Sequence, residues 1–407
     1  MRAPDNISGT EGLSGKLWPV HIKPLEDELL SSWLVRLARA HGLRLHTFCD
    51  LAWRHKPIWN RDIDKSADEE ILRVLSEKTA TPIERVRQTT LAAYEGWLYE
   101  KHNPYGNTKW IMPVGVYHRM RKRPGLQYCP MCLREDEDPY FRRRWRLAFV
   151  TLCEKHGRLL LDRCPRCKSP VNFHRNQIDK KSITLCFRCG KDLREAPQPS
   201  DIRVRAQVGQ QVFLLKTLSD GWVMIPGSGP VYSHFYFDVL HQLMRLLAGG
   251  ERSVPLRLVT SVSVRWKADE PRFTQNDNEI ETLGPRGRCI LLSRGMWLLV
   301  DWPPRLVGVG RKHGIWSSAL LRDMDRPPFW YWRVIHEQLY EPSYSPSDLE
   351  VEAAVSYTRK LGKVPRERIV SRLLGVNQVF RKKRARVVAP PRTASRERAS
   401  DRPSIHP

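Results

Sequence analysis

Apolar residues recur at helical spacing near the start of the chain, and this recurrence predicts a pair of helices. The first apolar stripe consists of Leu29, Leu30, Trp33, Leu34, Leu37 and Ala38. It follows the acidic run Glu26 to Glu28, and negative charge is favoured at a helix N-terminus. The segment "HGL" from His41 to Leu43 ends this helix, and "LHTFCDLAW" predicts the next one. Helix, glycine turn and helix form a helix-turn-helix pattern, although an ordinary helical hairpin has the same pattern.

Two more amphipathic helices are predicted in "SADEEILRVLSEKTATPIERVRQTTLAAYEGWLYE", with a break from Thr79 to Pro82. Residues 17–125 are therefore predicted to form an all-helical region with helix-turn-helix character. Residues 1–16, which precede it, are predicted to be a disordered N-terminus.

Helical periodicity also dominates residues 202–386, which follow a predicted linker in "EAPQPSD". The clearest helices are "FYFDVLHQLMRLLAG" and "GRCILLSRGMWLLVDWPPRL", whereas "LRLVTSVSVRW" has the pattern of a strand. The segment "PPFWYWRVIHEQLY" predicts a further helix that packs Trp330, Tyr331, Trp332 and Ile335 inward. The predicted fold class is mainly α.

Residues 349–386 predict three short helices in the order of a helix-turn-helix. They run from about Leu349 to Leu361, from about Arg366 to Leu374 and onward from Asn377, with Gly375 in the last turn. The third is interpreted as a recognition helix, because amide side chains can read adenine and arginine can read guanine. Its candidate DNA-contacting residues are Asn377, Gln378, Arg381, Lys382 and Arg384. A helical hairpin that ends in a solvated basic face is the alternative.

The charge of the chain indicates an anionic partner. Its 407 residues carry a formal net charge of +25, which suits nucleic acid or an anionic membrane surface. No apolar run approaches the ~20 residues that span a bilayer, and the N-terminus lacks the apolar core of a signal peptide. We therefore expect a cytoplasmic protein whose partner is nucleic acid. The polar, basic tail at residues 387–407 is predicted to be disordered and to add sequence-independent attraction to phosphate.

Seven of the nine cysteines and one histidine form four pairs, each with two residues between its members. The pairs are Cys129/Cys132, Cys153/His156, Cys164/Cys167 and Cys186/Cys189. A tight turn of this length presents both side chains to one tetrahedral ion, and two such turns complete a four-coordinate site. Ordinary buried thiols would not be expected to show four matched pairs, and a reducing cytosol favours metal binding over disulfides.

We predict two Zn²⁺ ions per chain, held by a double module at residues 126–195. In a sequential arrangement the first two pairs hold one ion and the last two pairs hold the other. An interleaved arrangement, in which the first and third pairs share an ion, is the alternative. Four protein ligands leave no open position for water or substrate, so the ions are predicted to be structural. Cys49 and Cys289 have no partner at ligand spacing and are predicted to be core residues.

Arginines alternate with aromatic residues in "YFRRRWRLAF", residues 140–149, which we call the arginine segment. Guanidinium groups beside aromatic rings suit a phosphate backbone and exposed bases. The candidate nucleic-acid contacts are Arg142, Arg143, Arg144 and Arg146 here, and Arg121, Lys122 and Arg123 in the preceding "HRMRKRPG". The alternative is that the aromatic rings pack against the metal-binding loops while the arginines are solvated or paired with "REDED", residues 134–138.

The chain also resembles the TniQ family of bacterial transposition proteins, a group that includes the larger TnsD target selectors. The resemblance rests on "PLEDELLSSWLVRLARAHG" and on "QYCPMCLREDEDPYFRRRWRLAFVTLCEKHGRLLLDRCPRC" about a hundred residues later. It is strongest from Trp18 to about Cys189. Its most specific features are Pro24, Glu28, Ser32 and Trp33 together with the Cys-Pro-x-Cys-Leu, Trp-Arg, Cys-x-x-His-Gly and Cys-Pro-x-Cys motifs.

The resemblance implies a non-enzymatic factor that selects target sites for DNA transposition. Such proteins bind target DNA, or a complex already on it, and recruit an AAA+ ATPase that in turn brings a DDE transposase. The zinc-binding positions of the family match all eight ligand residues named above. Relatives serve CRISPR-guided transposons, so a CRISPR effector complex or a resolution-site complex is a further candidate partner, as is a second copy of the chain.

Two other functional classes are the alternatives. A zinc-containing helix-turn-helix transcription regulator would bind an operator alone and need no ATPase. A nuclease or transposase subunit would require an acidic metal site outside the cysteine pairs. The N-terminal "GTEGLSGKL" is not a phosphate-binding loop, because five residues instead of four separate its first glycine from the Gly-Lys pair, and Leu17 replaces the required Ser or Thr.

Overall fold

The fold was described from a computed structural model, whose contacts divide the chain into two units at residues 1–341 and 342–407. The structure describes residue 13 and residues 15–54, 56–114, 124–176, 182–197, 204–249, 279–340 and 346–374. None of the described helices combines the length and the apolarity that crossing a membrane requires. The described part of the chain is mainly helical, as predicted.

Five helices form the N-terminal region, and they confirm the helix pair and the break that the periodicity predicts. They are α1 (Leu30–Ala40), α2 (Leu45–Ala52), α3 (Ile63–Ser66), α4 (Glu69–Thr79) and α5 (Ile83–Arg87). Helix α4 begins after Asp68, whose carboxylate accepts from the backbone N–H of Ile71 at 3.1 Å, a helix cap that the sequence permits. Every residue of α1 from Leu30 to Ala38 is buried, so α1 is a central helix rather than a surface one.

The cysteine-rich region contains little regular structure. Its regular elements are α6 (Pro130–Glu135) and an antiparallel pair of two-residue strands, β1 (Leu152–Cys153) and β2 (Arg158–Leu159). Three short 3-10 helices also lie in its described residues, at Arg143–Arg146, Phe173–Arg175 and Leu193–Glu195. Elsewhere in the described chain, 3-10 helices occur at Ile58–Asn60, Leu91–Tyr94 and Ile280–Thr282. Because few backbone hydrogen bonds of helices or paired strands hold these loops, side-chain contacts must keep them in place.

In the described residues 204–249 and 279–340, the first unit is helical apart from one hairpin. Its elements are α7 (Val204–Asp220), β3 (Trp222–Ile225), β4 (Gly229–Tyr232), α8 (Ser233–Ala248), α9 (Pro285–Val300), α10 (Pro304–His313), α11 (Ser317–Leu320) and α12 (Phe329–Gln338). The β3–β4 hairpin was not predicted, because the segment between α7 and α8 is short and contains three glycines. Gly221 requires its small size: it has φ +80°, and an added Cβ would lie 2.5 Å from the ring of Trp97. The predicted strand "LRLVTSVSVRW" lies outside the described residues.

One continuous core includes residues from the helical N-terminus, the cysteine-rich region and the later helices. Trp110 packs edge-to-face on Phe149 and Phe237, with ring centroids 5.8 Å from each. Arg288 of α9 is fully buried, and its guanidinium donates to the carbonyl of Ala148 at 2.5 Å. These contacts explain how the loops of the cysteine-rich region, which have little strand pairing, are held against helices that are distant in sequence.

Helix α12 corrects one predicted core residue. Trp330, Tyr331 and Ile335 are buried as expected, whereas Trp332 is 38% exposed. Trp332 lies one residue beyond the buried pair, on the solvent side of the helix, where its ring stacks on His336 at 4.8 Å. The physical reason is that a run of four aromatic residues extends over more than half a helical turn, so all four cannot face the same core.

The second unit contains two described helices, α13 (Asp348–Lys360) and α14 (Glu367–Leu373). A capping box formed by Ser347 and Glu350 begins α13. Val370 of α14 is fully buried, and Ala354 and Thr358 of α13 are buried as well. These helices agree with the first two of the three that the sequence predicts. The third, with Asn377, Gln378, Arg381, Lys382 and Arg384, lies outside the described residues.

Candidate metal sites

The first two ligand pairs converge on one point. The ligand atoms of Cys129, Cys132, Cys153 and His156 all lie within 4.8 Å of one another, and we call this group the first cluster. The Nδ1 atom of His156 is 3.3, 3.4 and 3.3 Å from the three sulfur atoms in chain order. In a tetrahedral site with metal–sulfur bonds of ~2.3 Å, neighbouring sulfurs are about 3.8 Å apart. The first cluster therefore has nearly the dimensions that a four-coordinate ion requires.

Short turns position the ligands of the first cluster. Cys129 precedes α6, and Pro130 takes the first helical position, where a missing N–H costs nothing. Cys153 ends β1, and the N–H of Gly157 returns to the carbonyl of Cys153 at 2.7 Å. Gly157 has φ +60°, so a glycine suits the turn that aims His156 back at the sulfurs.

The last two ligand pairs form a second cluster, made of Cys164, Cys167, Cys186 and Cys189. The Sγ atoms of Cys164 and Cys189 are 3.6 Å apart, and so are those of Cys167 and Cys186. The eight side chains are thus grouped four and four in chain order, as the sequential arrangement requires. The first and third pairs do not share a cluster, which rules out the interleaved alternative for this fold. Each cluster could hold one metal ion.

The thiols of each cluster differ in acidity because they share protons. Hydrogen bonds with Cys132 and Cys153 lower the pKa of the Cys129 thiol to about 3, while contacts with Cys129 and Cys153 raise the pKa of Cys132. Burial raises the pKa of Cys186 to about 12. For Cys167, burial is outweighed by hydrogen bonds with Ser169 and neighbouring cysteines, which lower its pKa to about 6. A metal ion must displace the remaining protons, so binding depends on pH.

A carboxylate contacts the ring nitrogen of His156 that faces away from the three sulfur atoms. The Nε2 atom of His156 is 3.0 Å from one oxygen of Glu135 and 3.1 Å from the other. Lys155 Nζ is 2.6 Å from the same carboxylate. This pairing favours the tautomer with its proton on Nε2, which leaves the Nδ1 lone pair directed at the sulfurs. Glu135 is a candidate site residue that the cysteine spacing does not reveal.

The most enclosed arginine of the arginine segment is Arg146, whose side chain is 0% exposed. Its guanidinium lies 2.5 Å from Asp62 and 3.0 Å from Asp64, and it also donates to the carbonyl of Met112 at 2.9 Å. Asp64 in turn accepts from the backbone N–H and the hydroxyl of Ser31. Burial raises the pKa of Asp64 to about 6, although Arg146 lowers it.

The other three arginines of the segment are also paired with carboxylates. Arg142 forms two hydrogen bonds with Asp136, at 2.7 and 3.1 Å, and lies over the ring of Trp145. Arg144 bonds Asp27 at 2.6 Å and Glu154 at 3.0 Å. Arg143 also reaches Asp27, at 3.4 Å, and stacks over Tyr94. This geometry matches the packing alternative, but the predicted pairing with "REDED" holds only for Arg142, since Asp27 and Glu154 lie outside that segment.

Part of the chain matches a known protein family. The sequence model of the TniQ family matches residues 19–160. The chain carries a TniQ domain. The match includes α1, the arginine segment and the whole first cluster, whereas the second cluster lies beyond it. A TniQ domain implies a transposition-associated protein. None of the curated proteins compared with the chain matches it.

The geometry explains the motif that begins the TniQ domain. Glu28 is buried, and its carboxylate accepts from Ser32 at 2.8 Å and from Arg36 at 2.7 Å. The hydroxyl of Ser32 accepts in turn from the N–H of Phe141, in the arginine segment, at 3.0 Å. Burial raises the pKa of Glu28 to about 7, against the opposing influence of Arg36. The sequence pattern accounted for Glu28 only as a charge at a helix start.

The structure gives different outcomes for the residues predicted to contact nucleic acid. Arg146 is corrected: it is enclosed between two aspartates, so its side chain cannot reach a nucleic acid in this fold. Arg142, Arg143 and Arg144 are partly exposed but already paired, and their contact with nucleic acid stays a prediction. Arg121, Lys122 and Arg123 lie outside the described residues.

Removing the carboxylate behind His156 should weaken the first cluster alone. We expect Glu135→Ala to reduce metal affinity there about 10- to 100-fold, because the imidazole loses its orienting acceptor. Protein prepared with Zn²⁺ would be titrated with a chelator, and one of its two metal equivalents should leave earlier than in the parent. Glu137→Ala is the control, since Glu137 is an exposed acid two residues away. Simultaneous loss of both equivalents at the parent's chelator concentration would contradict this role.

Replacing one thiol of the second cluster should remove one metal ion and loosen the fold around it. Cys164→Ser is expected to bind one equivalent instead of two and to unfold at lower temperature, because a structural ion supplies folding free energy. Metal content and thermal unfolding measure the two effects. Cys49→Ala should keep both equivalents, because Cys49 is buried outside either cluster. Full metal content in Cys164→Ser would disprove the ligand assignment.

Arg146 should contribute far more stability than its neighbour Arg144. Arg146→Met leaves the buried carboxylate of Asp64 and the half-buried carboxylate of Asp62 without their cation, which costs about 3–5 kcal/mol of unfolding free energy. Arg144→Met removes the same charge from a side chain that is 34% exposed, and Asp27 keeps Arg143, so about 1 kcal/mol or less is expected. Urea unfolding of the two metal-loaded variants measures the difference. Equal losses would show that Arg146 does not hold the structure together.

Proposed function

We propose that the chain is a non-enzymatic DNA-binding adaptor for target-site selection in DNA transposition. The observation that carries this proposal is the TniQ domain at residues 19–160. In this role the chain recruits an AAA+ ATPase to the target and, through it, a DDE transposase. It acts in the cytoplasm, either on DNA directly or on a complex already bound there.

We infer that both clusters hold Zn²⁺ and that the ions are structural. The first cluster offers three thiolates and one imidazole, and the second offers four thiolates. Both donor sets bind zinc in preference to harder metal ions such as Mg²⁺ or Ca²⁺. Four protein donors per cluster leave a tetrahedral ion no position for substrate. The ions would therefore hold the loops of the cysteine-rich region in shape and take no part in a reaction.

The charge of the chain supports direct DNA contact. A net charge of +25 favours release of counterions from a phosphate backbone. The best candidate for base contact is the predicted recognition helix, with Asn377, Gln378, Arg381, Lys382 and Arg384, after α13 and α14. The partly exposed arginines Arg142, Arg143 and Arg144, and the preceding Arg121, Lys122 and Arg123, are secondary candidates for phosphate contact.

A transcription regulator is the second candidate. The pair α13 and α14, with the left-handed Gly362 between them, has the helix order that a helix-turn-helix requires. A regulator would bind one operator and recruit no ATPase, whereas an adaptor needs its partners. The distinction is functional and can be tested with purified components.

The adaptor proposal predicts that an AAA+ ATPase from the same transposon is retained on immobilised duplex DNA only when this chain is present. The chain alone should hydrolyse no ATP and should not nick DNA with Mg²⁺. Arg381→Ala should weaken duplex binding by ~1–3 kcal/mol without loss of metal, because it removes a base contact. Arg359→Ala, which removes an exposed cation of α13, is the control.

Two results would count against this reading. Tight binding to a single operator without ATPase retention would favour the regulator. Unchanged affinity in Arg381→Ala would show that the recognition helix is wrongly assigned, even if the ATPase is retained.

A further inference from the structure

The loops around the second cluster carry an excess of positive charge that the first cluster does not have. Residues 163–191 contain eight Lys or Arg and a single acid, Asp179, which gives a charge of +7. Residues 129–156, around the first cluster, contain six Lys or Arg and five acids, which gives +1. A Zn²⁺ ion with four thiolates carries a charge of about −2, so most of the excess around the second cluster would persist in the metal-bound state.

Two turns of matching geometry present this charge. In "CPRCK" the N–H of Lys168 donates to the carbonyl of Cys164 at 3.0 Å, and in "CFRCG" the N–H of Gly190 donates to Cys186 at 2.9 Å. Both turns end in a left-handed residue, at φ +57° for Lys168 and +71° for Gly190. Each turn therefore carries an arginine at its third position, Arg166 in one and Arg188 in the other.

Both arginines are exposed, and each directly precedes a cysteine of the second cluster in the sequence. Arg166, Lys168 and Arg188 are all in the exposed class, whereas the ligands between them are buried or half-buried. Because the four Sγ atoms lie within 4.8 Å of one another, the two turns meet at the cluster. The cations are thus attached to backbone that a bound ion would make rigid.

Arg166, Lys168 and Arg188 also differ from neighbouring cations in their partners. Arg163 lies 3.6 Å from Asp162, and Arg194 lies 2.7 Å from Asp192. Within the described part of the chain, none of the three forms an ion pair with a carboxylate. The arginine segment shows the opposite case, in which every arginine is paired. Among the described residues, the turns of the second cluster thus carry exposed cations without a carboxylate partner, whereas the arginine segment does not.

We propose that Arg166, Lys168 and Arg188 bind the phosphodiester backbone of duplex DNA, so that the second cluster is a DNA-docking element. This inference rests on the proposed function, since it names the surface by which the adaptor meets its target. Binding releases counterions from the DNA, and the metal-held turns lose little freedom when their side chains engage phosphate. The contact is independent of sequence, and base reading belongs to another part of the chain.

The test is the salt dependence of binding to a mixed-sequence duplex, measured by fluorescence anisotropy with the full metal-loaded chain. Arg166→Gln/Arg188→Gln should lower the slope of log affinity against log salt by about 0.9 for each contact removed. At about 0.1 M salt the same loss weakens binding roughly tenfold per contact. Arg54→Gln/Lys101→Gln is the control: it removes two exposed cations of the N-terminal region, and its slope should stay at the parent value.

Metal content separates a docking role from a structural one. If Arg166 and Arg188 only balance the charge of the thiolates, Arg166→Gln/Arg188→Gln would lose metal while the salt slope stayed unchanged, and the proposal would be overturned. An equal fall of the slope in the control variant would also overturn it, because the effect would then follow net charge alone. Binding by the parent with no change in either variant refutes this surface but keeps the adaptor function. A parent that binds no duplex at all refutes both direct DNA contact and this surface.

Discussion

Arg146 lies between the carboxylates of Asp62 and Asp64 with none of its side chain exposed, and this buried charge constrains everything around it. A guanidinium without water is stable only if anions and carbonyls surround it, and breaking such a group is far more costly than replacing it. The loop before α3 and the loop before β1 must therefore stay together. Asp64 extends the constraint into α1 through Ser31, so the central helix is positioned by the same interaction.

The two metal clusters have similar geometry and opposite surroundings. Around the first cluster, acids and arginines are nearly balanced. They pair with each other, with Asp27 just before α1, and, through Asp138, with Arg36 of α1. The first cluster is thereby built into the TniQ domain. Around the second cluster, cations greatly outnumber acids in the sequence, and Arg166, Lys168 and Arg188 are exposed and form no ion pair with a carboxylate of the described residues. Charged residues thus have two roles in this fold. Around the first cluster they form ion pairs that connect segments of the chain, and around the second cluster they form a surface available to an anion.

Much of the fold could be predicted from local patterns. The helix pair at α1 and α2, the break before α5 and the first two C-terminal helices follow from periodicity and glycine turns, which act within a few residues. The two groups of four candidate ligands follow from paired spacing, because each turn must present two donors to one point. The β3–β4 hairpin, the exposure of Trp332 and the support of His156 by Glu135 did not follow, since each depends on which neighbours pack there.

The sequence by itself determined the kinds of element and the chemistry of the clusters, because helical period and ligand spacing are short-range properties. It did not determine what the arginine segment does. Its guanidinium groups have the same composition whether they face phosphate or carboxylate, and the aspartates that pair with Arg146 lie more than eighty residues earlier. Only the tertiary structure brings those charges together, and burial then decides the outcome, since a cation enclosed by two carboxylates has no remaining surface with which to bind DNA.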